Sequence, residues 1–379
     1  MAEESMASGR KRPPAPVWLS ALVAGTLAAA LLLGVAQWAG TPARRVSPAP
    51  ADTGTEIRRS LGSRLAGAVE GLTSLKRIYW IDRHDLAAPV PDPARFGEAE
   101  EAAALDFLPQ AAQALLEGDG LFFSPGITPL PGTKIQYYLD ETILAITWKQ
   151  AMDGGVYTFS EVKIAHPSQF RRFLAGGEFG SDKLFITTEM AKSVNAVVAS
   201  SGDFYNYRQA GTLVYDGQVR RVHNGLVDTC YIDENGDLLF SSRYDGLDQQ
   251  AAQEYVDENK VLFSLAFGPV LIRDGEIVTP DSYAVGEIHD HYPRSALCQL
   301  GKLHYLLAVV NGEGDYLLTP TLRRFAENLQ SWGIQKAYAL DGGQTAVIAM
   351  DGELINAVLF GYQRKISDII YFATAIPDK

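Results

Sequence analysis

The sequence predicts an α+β fold, with strand-rich mixed sheets and a few packed helices, preceded by one N-terminal transmembrane helix. Three observations carry this reading. Val17 to Trp38 is almost wholly apolar and holds no charged residue. Beyond Pro131, short β-branched and aromatic runs alternate with turn signals. Among the chain's Asp-Gly and Asn-Gly pairs, four are read as hairpin turns between those runs, and such a pair between apolar stretches is the strongest short-range hairpin signal.

The N-terminal elements come first. About 20 apolar residues suffice to cross a ~30 Å hydrocarbon core. Arg10-Lys11-Arg12 stands just before the apolar run, and Trp18 and Trp38 mark its ends. Basic flanks stay cytoplasmic and Trp favours the membrane interfaces. Residues 1–16 are therefore expected as a cytoplasmic tail, 17–39 as a transmembrane anchor, and the remainder outside the cytoplasm, as in a single-pass protein of the cell membrane. A cleaved signal peptide is the competing reading, but its apolar region of ~7–15 residues is shorter than this one. Residues 40–55, rich in Pro, Ala and small polar residues, read as a linker. Residues 56–75 and 98–117 look helical, so 56–127 is expected as a helical stalk or cap.

Residues 128–379 are the expected main domain. Candidate strands are Ile135–Leu139, Ile143–Trp148, Val156–Val162, Ala196–Ala199, Gly211–Tyr215, Val261–Phe267, Leu303–Val310, Ala337–Leu340 and Ala346–Met350. The hairpin pairs are Asp216-Gly217, Asn235-Gly236, Asp274-Gly275 and Asp351-Gly352, whose carboxylates read as turn formers. Ser168–Leu174 reads as a short helix. A stronger helix follows Thr319-Pro320, where Leu322, Phe325, Ala326, Leu329 and Trp332 recur at helical spacing. The net charge of −12 argues against a nucleic-acid partner, which needs a basic face. Cys230 and Cys298 sit in apolar surroundings and read as small buried hydrophobes; a disulfide between them is the alternative in an exported protein.

The chemistry is expected at strand ends. Ala337–Leu340 runs into Asp341-Gly342-Gly343-Gln344-Thr345, a carboxylate beside backbone that a ligand can approach. The Gly342 and Gly343 amides could form an anion-binding concavity. Gln344 and Thr345 are polar groups between buried strands and need partners. Ser200–Tyr205 repeats the pattern, with Asp203 as the carboxylate; a plain loop is its ordinary explanation. Ala266-Phe267-Gly268-Pro269 is a strand ending in a sharp turn, explained by packing. In His289-Asp290-His291-Tyr292-Pro293-Arg294-Ser295, Arg294 has the planar fork that binds phosphate or carboxylate. His289 and His291 would share one face of a strand, but a metal site needs three or four ligands with compatible geometry, and no third His or Cys stands nearby. No serine-hydrolase elbow, P-loop or dinucleotide fingerprint occurs in proper context.

Taken in order, these segments resemble the phosphodiester glycosidase family over roughly residues 128–376. The match runs through Ser201-Gly202-Asp203-Phe204-Tyr205, Phe267-Gly268-Pro269 with Asp274-Gly275, and Pro293-Arg294-Ser295-Ala296. It continues through Leu340–Thr345, Gly352 with Asn356, and Arg364 before Ser367-Asp368. The resemblance implies hydrolysis of a sugar-1-phosphodiester at the anomeric carbon, on cell-envelope glycans such as exopolysaccharide, with no cofactor or metal. It implies Asp341 and Asp203 as the catalytic carboxylates. It implies Arg294, Arg364, Gly342, Gly343, Gln344, Thr345, Asn356 and His291 as the substrate-binding group. The partners are then a sugar-phosphate or glycan substrate, and the membrane through the N-terminal helix. The chain departs from the family where Gln344-Thr345 replaces the usual Gly-Ser and where Ser201 replaces a common Asn. Those departures leave open a non-catalytic surface protein that binds a polysaccharide or phosphoglycan.

Overall fold

The computed structural model describes residues 77–80, 130, 133–139 and 143–374, apart from 154, 165, 286 and 313–317. The expected tail, anchor and linker lie outside the described residues, as does nearly all of the expected stalk. Within the stalk span, Arg77–Trp80, between the two segments expected to be helical, is a strand. Among the described residues no helix is long and apolar enough to cross a membrane.

The described residues form three sheets and three α-helices. The main sheet has nine strands in the spatial order β1 (Arg77–Trp80), β2 (Lys134–Leu139), β3 (Ile143–Met152), β4 (Gly155–Ile164), β15 (His304–Asn311), β14 (Arg294–Gly301), β16 (Lys336–Leu340), β12 (Val270–Arg273) and β13 (Glu276–Ile277). Only the β1–β2 pair is parallel; the other pairings in this sheet are antiparallel. A second sheet orders β10 (Leu238–Ser241), β9 (Thr229–Asp233), β11 (Val261–Leu265), β7 (Leu213–Tyr215) and β8 (Gln218–Arg221). A third orders β18 (Glu353–Leu354), β17 (Ile348–Met350), β6 (Val198–Ser201), β19 (Asp368–Phe372) and β5 (Phe170–Leu174). The helices are α1 (Thr187–Ser193), α2 (Gln249–Glu258) and α3 (Leu322–Gln330). The α+β class expected from the sequence is therefore observed.

All four expected hairpins form, joining β7–β8, β9–β10, β12–β13 and β17–β18. Asp216-Gly217, Asp274-Gly275 and Asp351-Gly352 hold positive φ at both positions, as a primed two-residue turn requires. The main sheet is covered on both faces. Along β14, Ala296 and Cys298 face α3 while Leu297 faces the smaller sheets, the period of two that a strand imposes. α3 is capped by the Thr321 hydroxyl, which accepts from Arg324 N. Its Leu322, Phe325, Ala326 and Leu329 pack on Trp148, Tyr157 and Phe159. Trp332 stacks on Trp148 with centroids 6.2 Å apart. Burial of such side chains stabilises by about 1.5–3 kcal/mol each.

One expected element is different. Ser168–Leu174 is not a helix: a single 3-10 turn, Pro167–Gln169, leads into β5. Phe170, Arg172 and Leu174 all point inward, a strand alternation that Arg172 disguises in the sequence. Cys230 and Cys298 are both free and fully buried, in different clusters of the core. Burial pushes both thiols well above their ordinary range.

Candidate active site

Asp341 is the first residue past β16. That strand runs antiparallel to β14 with Ser295 opposite Leu340, which sets Arg294 next in register to Asp341. The strand ends meet the turn after β11, where Phe267 and Gly268 precede β12. Together they floor a cavity of about 160 Å³. Three guanidinium-bearing residues line it, Arg208, Arg294 and Arg364, with Asp341, Glu287, Ser295, Gly342, Tyr207 and Tyr292. Three cations against two carboxylates leave the lining with an excess of positive charge.

Asp341 is only 8% exposed. Burial pushes its carboxyl up to about 6, opposed by the charge of Arg208, the Thr345 hydroxyl, Arg364 and the Gly342 amide. At neutral pH it is mostly ionised but still within reach of protonation, the range suited to a general base. The Thr345 hydroxyl donates to the Gly342 carbonyl at 2.5 Å and closes the turn. Gly343 N donates to the Pro293 carbonyl at 3.0 Å, so that amide serves the turn rather than an anion. The expected concavity of two free amides is not built. The glycines instead allow close approach: a Cβ on Gly342 would lie 2.5 Å from Pro293 O.

Arg294 is 5% exposed and donates to the backbone carbonyls of Glu287 and Asp290, at 2.9 and 2.6 Å. Burial lowers its guanidinium to about 10, which leaves it charged. It shapes the loop that brings Glu287 to the cavity. Arg208 packs its guanidinium over the Phe267 ring at 4.7 Å, and its buried Nη1 has no hydrogen-bond partner. The Ser295 Oγ is likewise buried and unbonded. Unmet donors at a cavity wall mark where a polar ligand completes the hydrogen bonding.

Arg208 belongs to a short loop with a built-in clamp. Arg221 donates through Nη1 to Tyr205 O at 2.9 Å and through Nη2 to Ala210 O at 3.1 Å, tying both ends of the loop. Tyr207, within it, stacks on Phe204 with centroids 5.3 Å apart.

Asp203 is placed elsewhere. It is fully buried and does not line the cavity. Its Oδ1 lies 2.5 Å from Arg172 Nη2 and its Oδ2 accepts from Ala266 N at 2.6 Å. Arg172 also pairs with Asp368 at 2.9 Å, and all three side chains are wholly buried. Burial raises the Asp368 carboxyl, with Arg172 opposing and the Asp203 charge adding to the rise. Both Asp203 oxygens are spent on holding β5, the residues after β6 and the end of β11 together. Asp203 therefore does not stand at the cavity as the expected second catalytic carboxylate; the second carboxylate that lines the cavity is Glu287.

Other expected residues also serve structure. Asn356 is buried, accepts from Ile348 N at 2.7 Å and donates to Ala346 O at 2.8 Å, bracketing the β17 hairpin outside the cavity. His291 contacts the Thr319 carbonyl and lines a separate cavity of about 380 Å³ with Asp153 and Arg324. His289 engages the Asp281 carbonyl at 2.8 Å. Gln344 and Gly343 lie in the 3-10 turn behind Asp341 and do not line the cavity. Of the expected group, the structure brings Asp341, Gly342, Arg294 and Arg364 together.

Residues 194–373 match the family model described as phosphodiester glycosidase. That stretch of the chain is similar to a phosphodiester glycosidase domain. This span holds the whole cavity. Among solved structures, the chain is similar to the zebrafish N-acetylglucosamine-1-phosphodiester alpha-N-acetylglucosaminidase catalytic domain auto-inhibited by pro-peptide. That likeness has 20% identity and a TM-score of 0.48, covering 61% of this chain and 83% of the other. A hypothetical protein from Synechocystis is similar at 15% identity and a TM-score of 0.44, covering 63% of this chain and 64% of that one. The SPbeta prophage-derived uncharacterized protein YomE of Bacillus subtilis is 22% identical over 244 residues, which is 62% of this chain and 36% of that protein. The chain thus spans about a third of that relative's length.

Sequence reasoning missed Arg208, Tyr207, Tyr292, Ser295 and Glu287. Tyr292 and Ser295 lie inside the polar cluster His289–Ser295, and Tyr207-Arg208 follows the Asp203 segment after Asn206. Only their nearness to Asp341 across the fold distinguishes them.

Proposed function

We propose that this protein hydrolyses a sugar-1-phosphodiester outside the cytoplasm, tethered to the membrane by residues 17–39 and acting on cell-envelope glycans. The observation that carries the reading is one buried carboxylate, Asp341, in a cavity ringed by Arg208, Arg294 and Arg364. The family of the domain is one of glycoside hydrolases that act on phosphodiesters.

In this reading Arg208 and Arg364 hold the phosphate and Arg294 fixes the wall beside it. The oxygen of a water molecule bonds to the anomeric carbon as the carbon–oxygen bond to phosphate breaks. The bonding electron pair leaves with the phosphate, and Asp341 takes the proton from water. Negative charge grows on the phosphate during this step, where fixed cations are most effective. A phosphate monoester is already a good leaving group, so strong acid assistance is not needed. Glu287 supplies the second carboxylate that glycosidases commonly use.

The test incubates the full chain, purified in detergent, with a panel of sugar-1-phosphodiesters and measures release of reducing sugar. The expected result is release by the wild type and a loss of at least a hundredfold in D341N. Binding of phosphoglycans with no sugar released would replace hydrolysis by a non-catalytic binding role. Protease protection of residues 1–16 in intact cells, with the remainder accessible, tests the placement.

A further inference from the structure

We propose that Tyr283 is a positioning residue for the cavity. Its hydroxyl, together with that of Tyr338, holds the backbone of Phe267, and the Phe267 ring in turn seats the guanidinium of Arg208. For its ligand the proposal rests on the phosphate reading above; the seating of Arg208 does not depend on that reading.

Phe267 lies just past the end of β11, where the sheet ladder no longer satisfies its backbone. It is buried, and a buried N–H and C=O both need partners. Two tyrosine hydroxyls supply them. Phe267 N donates to Tyr338 Oη at 2.8 Å, and Phe267 O accepts from Tyr283 Oη at 3.1 Å. Tyr338 is a wholly buried residue of β16, and its hydroxyl also lies 2.7 Å from Asp228 O. Tyr283 comes from the segment after β13, and its hydroxyl accepts from Asp228 N at 2.7 Å. Three segments distant in sequence thus meet at one residue.

Tyr283 is itself braced. The Arg243 guanidinium lies over its ring, 4.8 Å from the centroid, and 3.8 Å from Asp228 Oδ1. Arg243 also donates to Ser282 O at 3.2 Å. On its other side the Tyr283 hydroxyl occupies the space that a Cβ on Gly268 would need. Phe267 and Gly268 line the cavity and Tyr283 does not, so Tyr283 acts on the cavity through that turn.

Arg208 is the group that depends on the turn. Its guanidinium sits over the Phe267 ring at 4.7 Å, and its buried Nη1 has no hydrogen-bond partner. A ring face attracts a cation without engaging its N–H donors, so the cation follows the ring and keeps those donors for a ligand. Arg221 ties the ends of the Arg208 loop; the Phe267 ring sets where the side chain comes to rest. Removing the Tyr283 hydroxyl leaves Phe267 O and Asp228 N without their partner and frees the ring to shift.

The experiment uses the full chain purified in detergent, as wild type, Tyr283→Phe, Arg208→Ala and the double variant, with Tyr305→Phe as control. The Tyr305 hydroxyl donates to Gly236 O at the β9–β10 turn and does not line the cavity, so its loss reports a missing buried hydrogen bond alone. Two quantities are read: the Kd for inorganic phosphate by calorimetry, and the rate at which phenylglyoxal modifies Arg208, followed by peptide mapping. Tyr283→Phe is expected to weaken phosphate binding about fivefold, the worth of one cation–π contact. It should also speed modification of Arg208 severalfold while leaving Arg364 unchanged. Tyr305→Phe should alter neither quantity; an equal effect in both variants overturns the proposal. In the Arg208→Ala background, Tyr283→Phe should weaken phosphate binding no further. A further loss there overturns the proposal, as does an unchanged rate of Arg208 modification. If the wild type binds no phosphate, the phosphate reading falls by itself, and the modification rate decides the seating: faster in Tyr283→Phe supports it, and an equal rate overturns it. If Tyr283→Phe does not fold, Arg243→Gln, which removes the cation bracing the Tyr283 ring, takes its place in the same measurement with the same two outcomes.

Discussion

Replacing Asp341 by Asn gives a direct measure of how much the fold gives up to keep a charge in the cavity. The Asp341 carboxyl rises from 3.8 to about 6 on folding, chiefly through burial. A carboxyl that binds its proton more tightly when folded stabilises the fold below pH ~4. That stabilisation is lost as pH climbs toward 6. A rise of roughly two pKa units corresponds to about 3 kcal/mol at 1.36 kcal/mol per unit. Asn has the shape of the protonated acid and carries no charge. It brings an amide in need of a partner, which returns about 1 kcal/mol. D341N is therefore expected to be more stable than wild type by about 2 kcal/mol near pH 8, or about 4–8 °C in Tm for a domain of this size. The advantage should shrink steadily below pH 6 and vanish near pH 4. Thermal unfolding of both proteins followed by circular dichroism across that range makes the comparison. A difference independent of pH, or a D341N that melts earlier near pH 8, would refute the electrostatic argument. The expected pairing of greater stability with lost activity is the usual trade at a strained functional site.

The same carboxyl sets a pH limb. Activity measured as kcat/KM should rise tenfold per unit below pH ~6 and level above it; a flat profile from pH 4 to 7 would remove Asp341 as the base. Arg208→Ala should raise KM by about tenfold or more, with Arg208→Lys recovering only part, because a point charge cannot reproduce the planar fork. Arg221 does not touch the cavity but ties the ends of the Arg208 loop. Arg221→Ala should therefore raise KM severalfold with kcat near wild type, and a loss of kcat alone would argue against a positioning role. Gly202→Ala should destabilise severely, since its new Cβ would fall 1.8 Å from Asp368 Oδ2; near-normal unfolding in urea would contradict the packing there.

How much of this was legible in the sequence depends on how far apart the deciding groups lie. The four hairpins were readable because a turn is settled by two adjacent residues. The Asp341 corner was readable for the same reason, as was α3 with its regular buried face. β5 was misread because Arg172 looks like a surface residue until its partners are known. Asp203 stands 31 residues away, and no local pattern announces the pairing. For the same reason Asp203 looked like a catalytic carboxylate. α2 was missed because its face is thin: Ala252 and Val256 are its buried residues, and the rest of Gln249–Glu258 is largely polar. Arg208 and Glu287 lie in irregular loops, where periodicity carries no information.

The buried Arg172 has a consequence for where the domain can be divided. The family match begins at residue 194, downstream of β3, β4 and β5. A chain trimmed to that boundary keeps Asp203 and Asp368 but loses Arg172, the cation paired with both. Two carboxylates sealed from water without it would each have to take a proton or stay unfolded, at a cost of several kcal/mol. It would also lose β4, the neighbour of β15 in the main sheet. The matched segment is thus shorter than the folding unit, whose N-terminal limit lies no later than β4.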